Sequence, residues 1–332
     1  MNFSKNIFFI FCLILFSNTL SADNDQEIIG REYILSQMDA DTQETKSLRT
    51  SLLKKDGFFG LEAYRKTYFL PVSYTKSQPT RVSNTMPPGQ NAPYEDSRYE
   101  QNTEIVFQFS LRFQLMHDLL GFNEFLYVGY THKSWWQAYT QSSPFRETNY
   151  EPELYMYLPS ANNFDNEIGL KGLIFGFVHQ SNGEDGYTSR SWNRIYLTGA
   201  WQWGNLFAKT RVWYRIPEED KPDGYFTGTA IPYDPNANGD GNPDIDKYLG
   251  YGDIKFDYLY AKHQFGLLLR NNLRLNSDNK GAVELSYMYP VSEKQKIFWY
   301  AEIFQGYGDS LIDYNTEVSR FSVGVSFARG LF

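Results

Sequence analysis

A histidine and a serine two residues apart, His179 and Ser181, end an apolar run that reads Leu173, Ile174, Phe175, Gly176, Phe177, Val178. Side chains at i and i+2 of a strand share a face, so both polar groups fall on the side that carries Leu173, Phe175 and Phe177. Placing an imidazole and a hydroxyl on an apolar face is costly unless they satisfy each other. Chemistry supplies a reason for the placement. An imidazole beside a hydroxyl can take its proton and make it a nucleophile, provided a third group fixes the ring tautomer. After 184–190 the chain returns through Ser191, Trp192, Asn193 and Arg194, which puts Asn193 at the start of the neighbouring strand. Its side-chain oxygen can accept the ring N–H. His-x-Ser alone is too short to be specific, and the bland alternative is a rim pair bonded to headgroups or water.

The elements that must position these residues read as strands. From Ile105 to Leu115, Phe107, Phe109, Leu111 and Phe113 alternate with Gln108, Ser110, Arg112 and Gln114, so one face is apolar and the other polar. Similar strands are expected at 66–76, 124–137, 148–158, 166–180, 192–203, 205–216, 249–260, 262–270, 280–289, 295–306 and 318–332. That makes about twelve, each near the nine to eleven residues that a tilted membrane strand needs. The last alternates Phe321, Val323, Val325 and Phe327 with small residues and ends on Phe332, an aromatic end like the terminal strand of bacterial outer-membrane proteins. Long loops (77–99, 138–147, 181–191, 217–248, 271–279, 307–317) alternate with short turns (117–123, 159–165, 203–205, 260–262, 290–294). Such alternation suits an all-β, antiparallel transmembrane β-barrel with its long loops facing outside. A soluble lipocalin-like barrel would instead fill its interior with the apolar face and put Arg112 and Glu284 outside. Alternation alone does not separate the two.

Composition and the N-terminus favour the membrane. The 332 residues include 26 Tyr, 26 Phe and 7 Trp, with no mature apolar segment long enough for a spanning helix. Lys5, the apolar run Ile7–Phe16 and the small residues up to Ser21 and Ala22 read as a secretory signal peptide over 1–21. Its removal takes away Cys12, the only cysteine, and with it any thiol nucleophile, thiolate metal site or disulfide. Losing Lys5 also moves the formal charge from −8 to −9, which opposes nucleic acid as a partner and leaves divalent cations as plausible ones. Residues 22–63 read as a polar periplasmic lead-in with a weak helical pattern (Leu35, Met38, Leu48, Leu52), and 64–332 as the barrel.

Longer blocks carry more information than His-x-Ser. Gly176-Phe-Val-His179-Gln-Ser181-Asn-Gly183 followed by Thr188-Ser-Arg-Ser-Trp-Asn193-Arg resembles the active-site block of bacterial outer-membrane phospholipase A. So do Lys133-Ser-Trp-Trp-Gln137, Ser143-Pro-Phe-Arg-Glu-Thr-Asn-Tyr-Glu-Pro152 and Gly306-Tyr-Gly-Asp-Ser-Leu-Ile-Asp-Tyr-Asn315. The resemblance implies a twelve-stranded barrel in the outer membrane of a Gram-negative bacterium, active at the outer leaflet. It implies hydrolysis of either acyl ester of membrane phospholipids, with Ca2+ and a homodimer required for activity. By position Ser181 is the nucleophile, His179 the general base and then acid, and Asn193 the orienting group. The Gly183 N–H and a calcium-polarised water would hold the oxyanion.

The same resemblance draws calcium ligands from the Glu184 carbonyl, the Ser189 hydroxyl, the next long loop, and Ser142 of the partner subunit. Here Glu184 replaces a basic residue, and the acidic residue of that loop, Asp185, comes one place earlier than expected. The next loop, Asp234-Pro-Asn-Ala-Asn-Gly-Asp240-Gly-Asn-Pro-Asp244, resembles the start of an EF-hand loop but has Ile245 where the bidentate acid belongs. The family's ligand there falls at Asp240 or Gly241, and only Asp240 has the chemistry. A solvated turn is the alternative.

Other candidates are read more simply. Trp135, Trp136, Tyr127 and Tyr130 are expected at headgroup level, and His117 and His263 in solvent. His132 falls where the family often has a polar residue at its dimer interface. Two other classes compete: a non-enzymatic barrel that is a narrow channel or a structural or adhesive protein, and a barrel hydrolase that deacylates lipopolysaccharide. The blocks around Trp135, Pro144 and Asp309 argue against the second.

Overall fold

The computed structural model describes residues 38–46, 49, 61–76, 101–140, 142–160, 167–223, 237–292 and 296–331. The signal-peptide reading, most of the lead-in, and Asp234 and Asn236 lie outside them. Period-two alternation runs through every long strand. The strands are β1 (Glu62–Ala63), β2 (Thr67–Thr75), β3 (Thr103–His117), β4 (Phe125–Trp136), β5 (Phe145–Pro159), β6 (Leu170–Ser181) and β7 (Ser191–Trp203). They continue with β8 (Leu206–Ile216), β9 (Gly252–Tyr260), β10 (His263–Asn271), β11 (Gly281–Ser292), β12 (Ile297–Gly306) and β13 (Val318–Ala328). From β2 to β13 each strand pairs antiparallel with the next, and β13 returns to pair with β2, so the sheet closes. The two-residue β1 pairs with β3 below β2 and is the foot of the same staff, which leaves a closed twelve-stranded barrel.

The faces separate as the alternation requires. On β6, Leu173, Phe175 and Phe177 are exposed while Lys171, Ile174, Gly176 and Val178 are buried. The outer wall continues through Leu197 on β7, Ile303 on β12 and Phe321 on β13, all more than a third exposed. That is an apolar band turned to lipid. The inner face carries the charge: Arg320 bonds Glu302 (2.8 Å) and Asp309 (2.7 Å), Arg146 bonds Glu104 (2.9 Å) and Asp313, and Arg65 reaches Glu153 (2.7 Å). Arg112 stands inside over the Tyr127 ring and bonds Glu62, and Glu284 faces Lys66. This is the reverse of a lipocalin: among the described residues ion pairs and stacked tyrosines line the lumen. Charges such as Arg320 and Arg146 are tolerable away from water because they are paired and hydrogen-bonded.

The alternation also corrects two aromatic assignments. Trp135 and Tyr127 have odd numbers on β4, the inward parity, and both are almost fully buried in the lumen, where the Trp135 indole N–H donates to Asp309. Trp136 and Tyr130 keep the outward parity. His117 stacks on Phe125 at 4.4 Å and bonds Asn123 at 2.7 Å, locking the β3–β4 turn, and His263 bonds the Tyr287 hydroxyl at 2.8 Å. Neither is simply solvated.

At the short-turn end, part of the lead-in docks on the barrel. Asp39 exchanges backbone hydrogen bonds with the Gln202 side chain and pairs with Lys171 at 2.5 Å, while Met38 joins Phe207, Leu259 and Leu331 in a small apolar cluster.

Candidate active site

β6 and β7 pair with His179 opposite Asn193 and Ser181 opposite Ser191. A cross-strand pair brings side chains on one face within contact, so the register itself makes the next bond. Asn193 Oδ1 lies 2.9 Å from His179 Nδ1. Ser181 follows two residues later on the same outward face, at the long-loop end of the band formed by Leu173, Phe175 and Phe177. No hydrogen bond joins the Ser181 hydroxyl to the ring in this structure. Shared strand parity places the pair side by side, and catalytic bonds of this kind commonly tighten only with substrate bound.

The loop after Ser181 is built around Asn182, whose role the sequence did not suggest. Its side chain accepts from the Arg190 N–H (2.9 Å) and donates to the Thr188 carbonyl (2.7 Å), and its backbone N–H donates to the Arg190 carbonyl (3.0 Å). These bonds pin both ends of 182–190 and start β7 in register. Gly183 has φ +72°, a left-handed conformation that a side chain resists, and a Cβ there would sit 3.0 Å from the Tyr150 ring. Tyr150 is paired with Ser181 on β5 and meets His132 of β4 edge-on at 5.2 Å.

Glu184 and Asp185 are exposed at the tip of this loop, and Ser189 is half-buried at its return. Carbonyl, hydroxyl and carboxylate oxygens here are the donors that a hard cation such as calcium takes. Among the described residues no group of three or more His, Cys, Asp and Glu gathers, so any such site would depend on carbonyl and hydroxyl oxygens as well. Ser142 is exposed in the loop between β4 and β5, with φ +65°.

Asp240 has a different setting. It is buried, one oxygen bonds Arg215 and the other accepts from the Asn242 N–H at 2.9 Å. Arg215 also donates to the Pro243 carbonyl at 3.0 Å, and Asn242 Oδ1 accepts the Ser191 N–H at 2.9 Å. This loop thereby straps the end of β8 to the start of β7. Gly241 lets it press on the Ser189 carbonyl, where no Cβ would fit. Both loops expected to supply a cation therefore meet at Ser189.

A further residue reaches the site from β8. Asn193 is paired with Ile216, and two residues later Glu218 Oε1 accepts from Asn193 Nδ2 at 3.2 Å. Burial raises the Glu218 pKa above the ordinary carboxyl range, and the charge of Asp240 adds to the rise, against Arg215 and the Asn193 bond. Nothing in the amino-acid order points to this residue, because only the strand register brings it to Asn193.

Known proteins share this sequence and fold. The family model described as Phospholipase A1 matches residues 45–327. A putative phospholipase A1 of Neisseria meningitidis serogroup B is 34% identical over 300 residues, covering 87% of this chain and 71% of that protein. Phospholipase A1 of Escherichia coli K12 is 36% identical over 242 residues, covering 70% of this chain and 73% of that protein. Among solved structures, outer membrane phospholipase A from Escherichia coli superposes with a TM-score of 0.66 at 32% identity, over 81% of this chain and 98% of that one. A Salmonella typhi outer membrane phospholipase, described as a dimer with bound calcium, gives 0.67 at 30% identity over 90% and 98%. An outward-facing histidine and serine on a closed twelve-stranded barrel thus stand in a chain that belongs to the phospholipase A1 family of outer-membrane ester hydrolases.

Proposed function

We propose that the chain hydrolyses the sn-1 and sn-2 acyl esters of glycerophospholipids, and the remaining ester of lysophospholipids, with Ser181, His179 and Asn193 as its triad. The observation that carries this reading is the 2.9 Å bond between His179 Nδ1 and Asn193 Oδ1 on the lipid-facing wall, with Ser181 on the same face. With the Nδ1 proton donated to Asn193, Nε2 carries the lone pair and takes the Ser181 proton as Oγ attacks the ester carbonyl. The tetrahedral oxyanion is held by the Gly183 N–H. As the carbonyl re-forms, the ester C–O bond breaks, His179 returns the proton to the leaving glycerol oxygen, and Ser181 holds the acyl group. A water deprotonated by His179 then releases the fatty acid and restores the serine.

A calcium ion would be held by the Glu184 carbonyl and the Ser189 hydroxyl with Asp185 or Asp240 as the acidic ligand, of which exposed Asp185 is the more available. Ser142 of the partner subunit would complete the set in a homodimer. When bound, the ion supplies positive charge at the oxyanion through a polarised water. The exposed loop tip and the relative's bound calcium support this assignment. The long-loop end, and the triad with it, is read as facing the outer leaflet after export directed by residues 1–21.

The test is fatty-acid release from a defined phospholipid in detergent micelles, with and without EDTA, by the wild type and Ser181→Ala. Loss in both the chelated and the substituted samples is expected. Activity retained by Ser181→Ala would overturn the assignment.

A further inference from the structure

We propose that Glu218 is a positioning residue for this triad, one that orients the Asn193 amide and through it sets the His179 tautomer. The inference rests on the triad reading above and deepens it.

An asparagine can present either end of its amide to a neighbour, and the ring responds. If Oδ1 faces His179, the ring proton sits on Nδ1 and Nε2 is free to act as base. If Nδ2 faces it, Nδ1 must accept, the proton moves to Nε2, and the ring cannot take a proton from Ser181. Asn193 alone does not choose between these states. A carboxylate on its far side does, because an ionised Glu218 has only lone pairs to offer, so the amide must turn its N–H toward it. The structure has this arrangement: Nδ2 donates to Glu218 Oε1 at 3.2 Å while Oδ1 meets Nδ1 at 2.9 Å.

Glu218 is half-buried, and the charged groups that face it are Asp240, from the strap loop, and Arg215, from β8. Arg215 and Asp240 are bonded to each other, which leaves the Glu218 carboxylate as the acidic group that bonds Asn193. A neutral asparagine stabilises an imidazolium less than a carboxylate does. Glu218 makes up part of that difference from one residue further out, and His179, Asn193 and Glu218 form a continuous line from β6 through β7 to the end of β8.

The experiment uses full-length protein folded in detergent with calcium present, and reads kcat, KM and the rate at which a sulfonyl fluoride inactivates Ser181. Glu218→Ala should lower kcat by about thirtyfold with KM within about twofold, and slow inactivation in parallel, because the base is then correctly protonated only part of the time. Glu218→Gln keeps an oxygen that can accept from Nδ2 but loses the charge, and should lose about fivefold. The decisive arm is reciprocal. Asn193→Asp places two carboxylates face to face and should be poorly active, whereas Asn193→Asp with Glu218→Gln, in which the glutamine amide can donate to the new aspartate, should recover at least tenfold over Asn193→Asp alone. A residue that merely braces the loop predicts the opposite, with the two losses adding. Wild-type kcat in a folded Glu218→Ala protein, or no recovery in the double variant, would overturn the proposal. Ser181→Ala run beside them separates the two readings: activity there defeats the triad itself, whatever Glu218 does. Heat-modified mobility on gels confirms that each barrel has folded, and near-isosteric Glu218→Gln keeps the test open if Glu218→Ala does not fold.

Discussion

Replacing Gly183 by alanine puts two loads on one residue. Its φ of +72° is left-handed, where an L side chain costs about 1–2 kcal/mol. The new Cβ would also stand 3.0 Å from Tyr150 Cε2, so the ring must give way by a few tenths of an ångström. Together these amount to on the order of 2 kcal/mol, little for a barrel whose twelve strands are all paired around the ring. The cheapest relief is to rotate the 182–183 peptide plane, since the next plane is held by the Glu184 N–H, which donates to Asn182 Oδ1 at 3.3 Å. That rotation turns the Gly183 N–H away from the place where it is proposed to meet the oxyanion. Losing one such donor typically costs 10²- to 10³-fold in kcat, roughly 2.7–4 kcal/mol. The expected result is therefore a kcat reduced by about a hundredfold, KM nearly unchanged, and a small fall in the heat-modification temperature. Adding Tyr150→Ala removes the clash but not the backbone strain, so it should restore stability in part and kcat hardly at all. A folded Gly183→Ala protein with kcat within threefold of wild type would refute the assignment of this amide.

Two further outcomes follow from the loops. Asn242→Ala removes the acceptor of the Ser191 N–H, leaving it unsatisfied at the start of β7; this should cost about 1–3 kcal/mol locally, visible as faster hydrogen exchange in 189–193 with the rest of the barrel unchanged. Protection there equal to wild type would show that the strap does not hold β7. Burial would raise the Asp309 carboxyl, but Arg320 and Lys133 more than offset this and hold it well below the ordinary range. A depressed folded pKa contributes stability that is present above the unfolded value near 3.9 and is lost as pH falls below it. Denaturant midpoints should thus hold down to about pH 5 and drop from there toward about pH 2, and Asp309→Asn should flatten that drop; an equal drop in both proteins would rule out Asp309 as its source.

Much of the fold was legible because a membrane strand writes its orientation into its sequence. Phe107, Phe109 and Leu111 alternating with polar neighbours gave both the strand and its faces, and the same rule placed His179 and Ser181 together on the outside. Aromatic character alone puts Trp135 and Tyr127 at headgroup level, but their odd positions on β4 point inward and parity decides. What alternation cannot give is register between strands. Glu218 lies 25 residues from Asn193 and meets it only because Asn193 pairs with Ile216. Asp240 was legible as an oxygen donor, but nothing in its loop revealed that Arg215, on another element, takes up one of its oxygens and fixes it in place.

With Ser181 as the proposed nucleophile, the outward placement of His179 and Ser181 also determines how substrate arrives. A nucleophile in a water-filled pocket meets molecules at their bulk concentration; one on the outside of a barrel wall meets only what drifts past within its own leaflet. Encounter is two-dimensional, governed by the mole fraction of phospholipid among the surrounding lipids and by their lateral diffusion. On the proposed reading, the cleaved chain re-enters the same lipid layer from which it came.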